Sequence, residues 1–330
     1  MRVAHGLADK TERRDQRNTA ARRLRRSIVR QLKAVFFICL SPLLLAAPAL
    51  PESQVKAAKR TEQAIAALSH MTDADSLAAA GIMSIGKRSD QALGLLARAI
   101  AAAPDRADLI WLQALRCAQM PPCDPEPIEH RLRELDPTNG AGWWGALARA
   151  GAAHDTEGTD AALAAISHSD RLDLYWTTLV AHLSRALAKT KSMSPAESEV
   201  AIIGYIAAQA IPAYLYISTS CNGERLQQAG VAEVCRGVAR ALQSGDTYIT
   251  EMIGVAIAKR VWPEDSPEWK AAADERRVYE YRSSFYPKMA LRELTHPGEY
   301  LTLCAQNRRE QDVLREQLIK AGINPNPPAG

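Results

Sequence analysis

The sequence predicts an all-α fold, an α-solenoid of stacked antiparallel helix hairpins closed by a helical C-terminal cap. Three observations carry that reading. Alanine-rich stretches with helical spacing run through the chain, and strand patterns are nearly absent. Pro104-Asp105 leads to Trp111, Pro137-Thr138 leads to Trp144, and Asp170-Arg171 leads to Trp176. The first two copies are offset equally at Pro and at Trp, and the third keeps that offset at Asp170 and slips by one position at Trp176. A fixed period in the thirties marks stacked helix pairs, in which each unit buries its apolar face against the next.

The amino terminus comes first in chain order. Residues 34–50 form the long apolar stretch of the chain, interrupted by Ser41, Pro42 and Pro48. A bilayer span needs about 20 apolar residues, so this stretch is short as well as broken. Arg30 and Lys33 precede it, and Ala47-Pro48-Ala49 supplies the small residues a signal peptidase requires. Residues 1–49 are therefore expected to be a signal peptide with an extended basic n-region, cleaved after Ala49 and directing the chain to the periplasm or outside the cell. The alternative is an uncleaved anchor in the inner membrane, with the chain facing the periplasm. Translation starting further in, for instance at Val29, would account for the long basic segment. Ile38 before Cys39 argues against a lipoprotein.

Charge separates this leader from the rest. Residues 1–49 hold 11 Lys and Arg against 3 acidic residues, which leaves 30 basic and 34 acidic residues and a net charge of −4 from Leu50 onward. A slightly acidic chain carries no general signal for nucleic acid or anionic lipid. Contact with a membrane is expected only through residues 34–50, if they stay attached.

Helices are expected at about 53–69, 74–86, 89–103, 106–119, 126–135, 139–152, 157–168, 171–190, 195–219, 224–243, 246–262, 267–294 and 297–321. Asp105 is placed to cap the helix entering ADLIWLQAL, and Asp170 the one entering LYWTTLVAHL. Ser194-Pro195-Ala196-Glu197 is a capping box with Pro at the first helical position, and Ser266-Pro267 opens another helix. Pro212 and Pro287 should kink or split their helices. The tail NPNPPAG is Pro-rich, and residues 323–330 are expected to be disordered.

The first half resembles the tetratricopeptide repeat family. Ala92, Leu96, Ala99 and Pro104 follow its second-helix pattern, with Leu in place of Phe, and Trp144, Leu147 and Ala148 follow its first-helix pattern, with Ala in place of Gly. At Trp111 the following Ala114 and Leu115 reverse the large and small positions, and the copy near residue 170 has Asp where Pro belongs. The resemblance covers about residues 53–190. It implies residues 50–190 as helical repeats and residues 191–322 as a C-terminal helical region that shields the last hairpin. It also implies a groove lined by the helices at 106–119, 139–152 and 171–190.

Trp111, Trp143, Trp144 and Trp176 are the candidate groove residues. Adjacent positions cannot both face inward on one helix, so one of Trp143 and Trp144 is expected outside the core. Aromatic anchors dominate interfaces. Cys117 and Cys123 flank a turn forced by Pro121-Pro122, and Cys221 and Cys235 bracket a second turn, so two disulfides are expected in an oxidising compartment. Cys304 is left over and reads as a buried thiol.

Other motifs give way to duller readings. Ser84-Ile85-Gly86-Lys87 matches S-x-x-K, but its companions S-D-N and K-T-G are absent. His154, His168 and His182 are evenly spaced and read as surface histidines. Glu126, Glu129, Glu134 and Asp136 read as a solvated acidic face, with Glu129 pairing to Arg133. No catalytic, cofactor or metal motif stands out. The expected function is an exported protein-interaction scaffold whose groove takes a protein or peptide partner in the cell envelope. The alternatives are a helical enzyme acting on cell-wall sugars, which would show two carboxylates converging on a pocket in the second half, and a membrane-anchored assembly subunit.

Overall fold

Local signals in the sequence set several helix starts. In the computed structural model, which describes residues 52–84, 89–120, 122–207 and 212–328, the described residues form sixteen α-helices and two short 3-10 turns, with no strand. The leader and its apolar stretch at residues 34–50 lie outside them. No helix among them is long and apolar enough to cross a membrane.

Helix α1 spans Glu52–Ser69, α2 Ala74–Met83 and α3 Ser89–Ala102. Asp73 caps α2 by accepting a hydrogen bond from Ser76 N at 3.1 Å. Ser84 closes α2 with its hydroxyl on Ala80 O, and its S-x-x-K partner Lys87 lies outside the described residues. Helix α4 is Ala107–Ala118 and α5 is Glu126–Leu135. Asp105, the expected cap of α4, instead meets Arg131 at 3.5 Å. Arg106 starts the helix without a side-chain cap and ties it to α2, bonding Asp108 and Asp75 at 2.8 Å each.

A 3-10 turn over Gly140–Trp143 leads into α6, Trp144–Ala152, and α7 follows at Thr156–Ser167. Helix α8 is Trp176–Thr190 and α9 is Pro195–Ala207. The capping box of α9 closes in both directions: Ser194 N donates to Glu197 at 2.9 Å, and Glu197 N to the Ser194 hydroxyl at 3.3 Å. Helix α10, Pro212–Ser220, begins at the proline expected to break the 195–219 helix. A 3-10 turn at Gly223–Gln227 precedes α11, Val231–Gln243, and α12 covers Tyr248–Val261. Ser266 caps α13, Pro267–Ser283, and α14, Tyr286–Thr295, begins beside the proline expected to split that run. Helices α15, Glu299–Cys304, and α16, Glu310–Lys320, divide the single helix expected at 297–321.

From α2 to α7 the helices pack in chain order, α5 meeting α6 through the 3-10 turn at Gly140–Trp143, an order compatible with stacked hairpins. At α7 the sequence of packing changes. The neighbour of α7 is α11, followed by α12 and α13, while α8 packs on α2, α9 and α15. Glycine permits the close join: a Cβ on Gly237 of α11 would sit 2.5 Å from Ser167 O of α7, and one on Gly254 of α12 would sit 2.7 Å from Gln243 N. Val55–Gly330 packs as one unit around one large apolar core.

Several expectations are corrected. Helix α8 starts at Trp176 and not at Arg171, because residues 171–175 pair with residues 136–140. Gly140 N donates to Arg171 O at 2.8 Å and Asp170 N to Thr138 O at 3.0 Å. Arg171 reaches Asp136 at 2.7 Å, and Tyr175, in the left-handed region at φ 58°, donates its hydroxyl to Asp136 at 2.8 Å. Glu129 does not pair with Arg133. It is buried and bonds Arg149 at 2.6 and 2.8 Å, while Arg133 bonds Glu126 at 2.7 Å. The tail is held through residue 325: Tyr281 donates to Asn324 O at 3.1 Å, Arg282 to Pro325 O at 3.0 Å, and Ile323 packs beside Met289, Leu314 and Leu318.

Both expected disulfides form, Cys117–Cys123 with Cα atoms 5.2 Å apart and Cys221–Cys235 with Cα atoms 5.6 Å apart. Two such bonds fit an oxidising compartment. The second closes the longer loop, a sequence separation of 14 against 6. Replacing Cys221 and Cys235 together by Ala should lower stability by about 3 kcal/mol, and by more than loss of Cys117–Cys123, in urea unfolding.

Candidate functional site

Two of the three periodic tryptophans line one cavity, and the third packs against a residue of its wall. Trp111 is buried on α4, and Trp176 is half-buried at the start of α8; both line the cavity. Trp144 is buried at the start of α6 and does not line it. Its ring stands edge-on to Tyr214 at 4.7 Å and braces that wall from behind. Trp143 is the outer member of the adjacent pair. It is half-buried, away from the cavity, with the Arg133 guanidinium 4.4 Å above its ring.

The cavity holds about 350 Å³. One wall comes from α4, with Trp111, Leu112 and Leu115. Another comes from the entry to α8 and its first turn, with Leu174, Trp176 and Leu179. Ile206 and Ala207 of α9, Tyr214 of α10, Tyr248 and Ile249 of α12 and Tyr286 of α14 close it. Its polar lining residues besides the tyrosines and tryptophans are Thr247 and Glu310. This volume and lining suit one small molecule or one bulky apolar group.

Asp246 sets the cavity's shape. It is 1% exposed, and its carboxyl accepts from Leu174 N at 2.8 Å and Trp176 N at 2.6 Å, so α8 is capped by a residue 70 positions later. Its carbonyl accepts Glu310 N at 2.8 Å, and Glu310 in turn accepts Tyr248 N at 2.7 Å. One residue thereby joins the starts of α8, α12 and α16. Burial, with Asp173 nearby, pushes the Asp246 carboxyl up to about 8. Asp173 is itself held by Arg308 at 2.6 and 2.7 Å and by Arg171 at 2.9 Å.

Hydroxyls behind the cavity satisfy one another. Tyr214 bonds Thr250 at 2.5 Å, and Thr250 bonds Thr247 at 2.6 Å. Trp176 Nε1 donates to the Tyr300 hydroxyl at 3.1 Å. Tyr300 in turn hydrogen-bonds Cys304, a buried thiol that burial pushes up. Glu310 differs from its acidic neighbours. Burial raises its pKa, Tyr248 N is its side chain's hydrogen-bond donor, and it makes no ion pair among the described residues.

A pair of carboxyls does converge in the second half. Glu199 hydrogen-bonds Glu293, and burial followed by that neighbour pushes Glu199 up to about 8. Glu293 accepts Tyr300 N at 3.2 Å and also bonds Gly298 N. Neither carboxyl lines the cavity, so the arrangement that would favour a sugar-cleaving enzyme is not met there. The remaining motifs settle elsewhere. His182 bonds Asp75 at 3.0 Å, and His154 and His168 are exposed or nearly so. No group of three or more His, Cys, Asp or Glu side chains that could hold a metal occurs among the described residues. No family model, curated protein or solved structure matches the chain.

Sequence reading found two of the cavity's indoles and missed Asp246 and Glu310. Asp246 sits in Ser244-Gly245-Asp246-Thr247, which reads as an ordinary cap, and Glu310 lies inside a run read as one continuous helix.

Two outcomes follow from these groups. Asp246→Ala should cost about 2 kcal/mol through loss of a cap and two unsatisfied amides. In urea unfolding the midpoint should drop while the slope is unchanged, and Trp176 emission should shift. The Glu199 carboxyl binds its proton more tightly folded than unfolded, so its contribution to stability is full below its ordinary value of 4.5 and lost as pH rises towards about 8. Glu199→Gln should therefore flatten part of the fall in stability between pH 5 and pH 8 seen by chemical denaturation.

Proposed function

We propose that this chain is an exported binding protein that holds an apolar guest in the aromatic cavity between α4, α8 and α12. The cavity itself carries the reading: a volume of about 350 Å³, walled by five aromatic rings and aliphatic side chains drawn from both halves of the chain. Concave, mostly apolar pockets with a few placed polar groups are where small ligands bind. The two disulfides and the signal-like residues 34–49 support export, with cleavage after Ala49 and a periplasmic or extracellular destination.

The reading sharpens the scaffold expected from sequence. Helix α8, expected as a wall of an open groove, packs on α2 and α9, and its first turn narrows the space beside α4 to a cavity. A partner peptide would be limited to one inserted side chain, whereas a small apolar molecule fits whole.

The neutral dye N-phenyl-1-naphthylamine should bind the chain from Leu50 onward at one site and quench Trp111 and Trp176. Ala207 lies on the cavity wall and is exposed, so Ala207→Trp fills the space without burying new strain. It should weaken the dye at least tenfold with the thermal midpoint unchanged. Equal dye binding by both proteins, or none by either, would overturn the proposal.

A further inference from the structure

We infer that the cavity's natural guest is a small organic cation with an apolar body, an alkyl- or arylammonium, whose charged head sits between Glu310 and the rings of Tyr248, Tyr286 and Trp176. The inference rests on the binding role proposed above and adds the guest's charge.

The acids from Asp173 onward differ in how they are matched; Glu199 meets Glu293 away from the cavity, and half-buried Glu310 lines it. Glu251 is fully buried and is matched by Arg309 at 2.9 Å and by the Tyr279 hydroxyl. Asp173 has two arginines, and Asp246 has two backbone amides. Glu310, which lines the cavity, has the Tyr248 amide at 2.7 Å and no cation among the described residues. Withdrawing a carboxylate partly from water without a countercharge is costly, and a cation entering the cavity would supply that charge.

The walls suit the same guest. Tyr248 and Tyr286 stand edge-to-face with centroids 5.7 Å apart, and both line the cavity with Glu310. Aromatic faces attract ammonium groups through the ring quadrupole, most strongly where water is excluded. A carboxyl among such rings is the arrangement that holds substituted ammonium ions. A neutral guest would fill the same volume and leave Glu310 unmatched, and an anionic guest would be repelled.

The test compares two probes of one shape: benzyltrimethylammonium and its carbon isostere neopentylbenzene. Each displaces N-phenyl-1-naphthylamine from the chain starting at Leu50. The cation should bind at least tenfold more tightly than the isostere. In Glu310→Gln, which keeps an acceptor for Tyr248 N, the ratio of the two probes' affinities should fall to near one. An isostere that binds as well as the cation, or a ratio unchanged by Glu310→Gln, overturns the inference and leaves the apolar binding role standing. Dye binding with displacement by neither probe does the same. Absence of dye binding removes both. The comparison in the unaltered chain stands without the variant, so a poorly folded Glu310→Gln protein does not protect the inference.

Discussion

The Asp246 carboxyl is the joint on which the second half depends. A helix start exposes amides that must find acceptors, and the start of α8 has no suitable side chain of its own: Tyr175 occupies the cap position in a left-handed turn. Asp246 supplies the acceptor from the loop between α11 and α12, and its carbonyl receives the first amide of α16. Three helix starts are thus fixed by one residue that is itself shut away from water. The aromatic walls inherit their positions from this joint, since Trp176, Tyr248 and Glu310 each stand at the first position of one of those helices.

Burying that joint has an electrostatic cost, which the surroundings offset unevenly. Asp173 is neutralised by Arg171 and Arg308, and Glu251 by Arg309. Asp246, Glu199 and Glu310 lack such cations, and burial raises all three. Withdrawing an acid from water without a cation costs free energy in itself. The use of these three is to fix which segments meet, as Asp246 does, or to meet a ligand.

Local features of the sequence were readable where the physics is local. The capping box at Ser194 and Glu197, the helix start at Ser266-Pro267, the break at Pro287 and both disulfides depend on residues within 14 positions of one another. The period in the thirties picked out Trp111 and Trp176, and both line one space, whereas Trp144 between them does not. What escaped was long-range. The start of α8 lost its expected helical turn to a pairing with Asn139 and to Asp246, partners 34 and 70 residues away. Glu310 resembled any polar residue of a surface helix, since its acceptor role concerns Tyr248, 62 positions earlier. Neither distance leaves a trace in spacing or composition.

The seating of α8 against α2 changes what kind of object the chain is. A row of helix pairs that touch only their neighbours can gain or lose a unit and can begin folding anywhere. Here the stretch near residue 75 is covered by the stretch near residue 182, and that helix in turn is anchored by residues 246 and 308. Such loops must close before their contacts reward them, which makes assembly slow and all-or-none. A polypeptide emerging from its N-terminal end could not complete its first half until its last sixth had arrived.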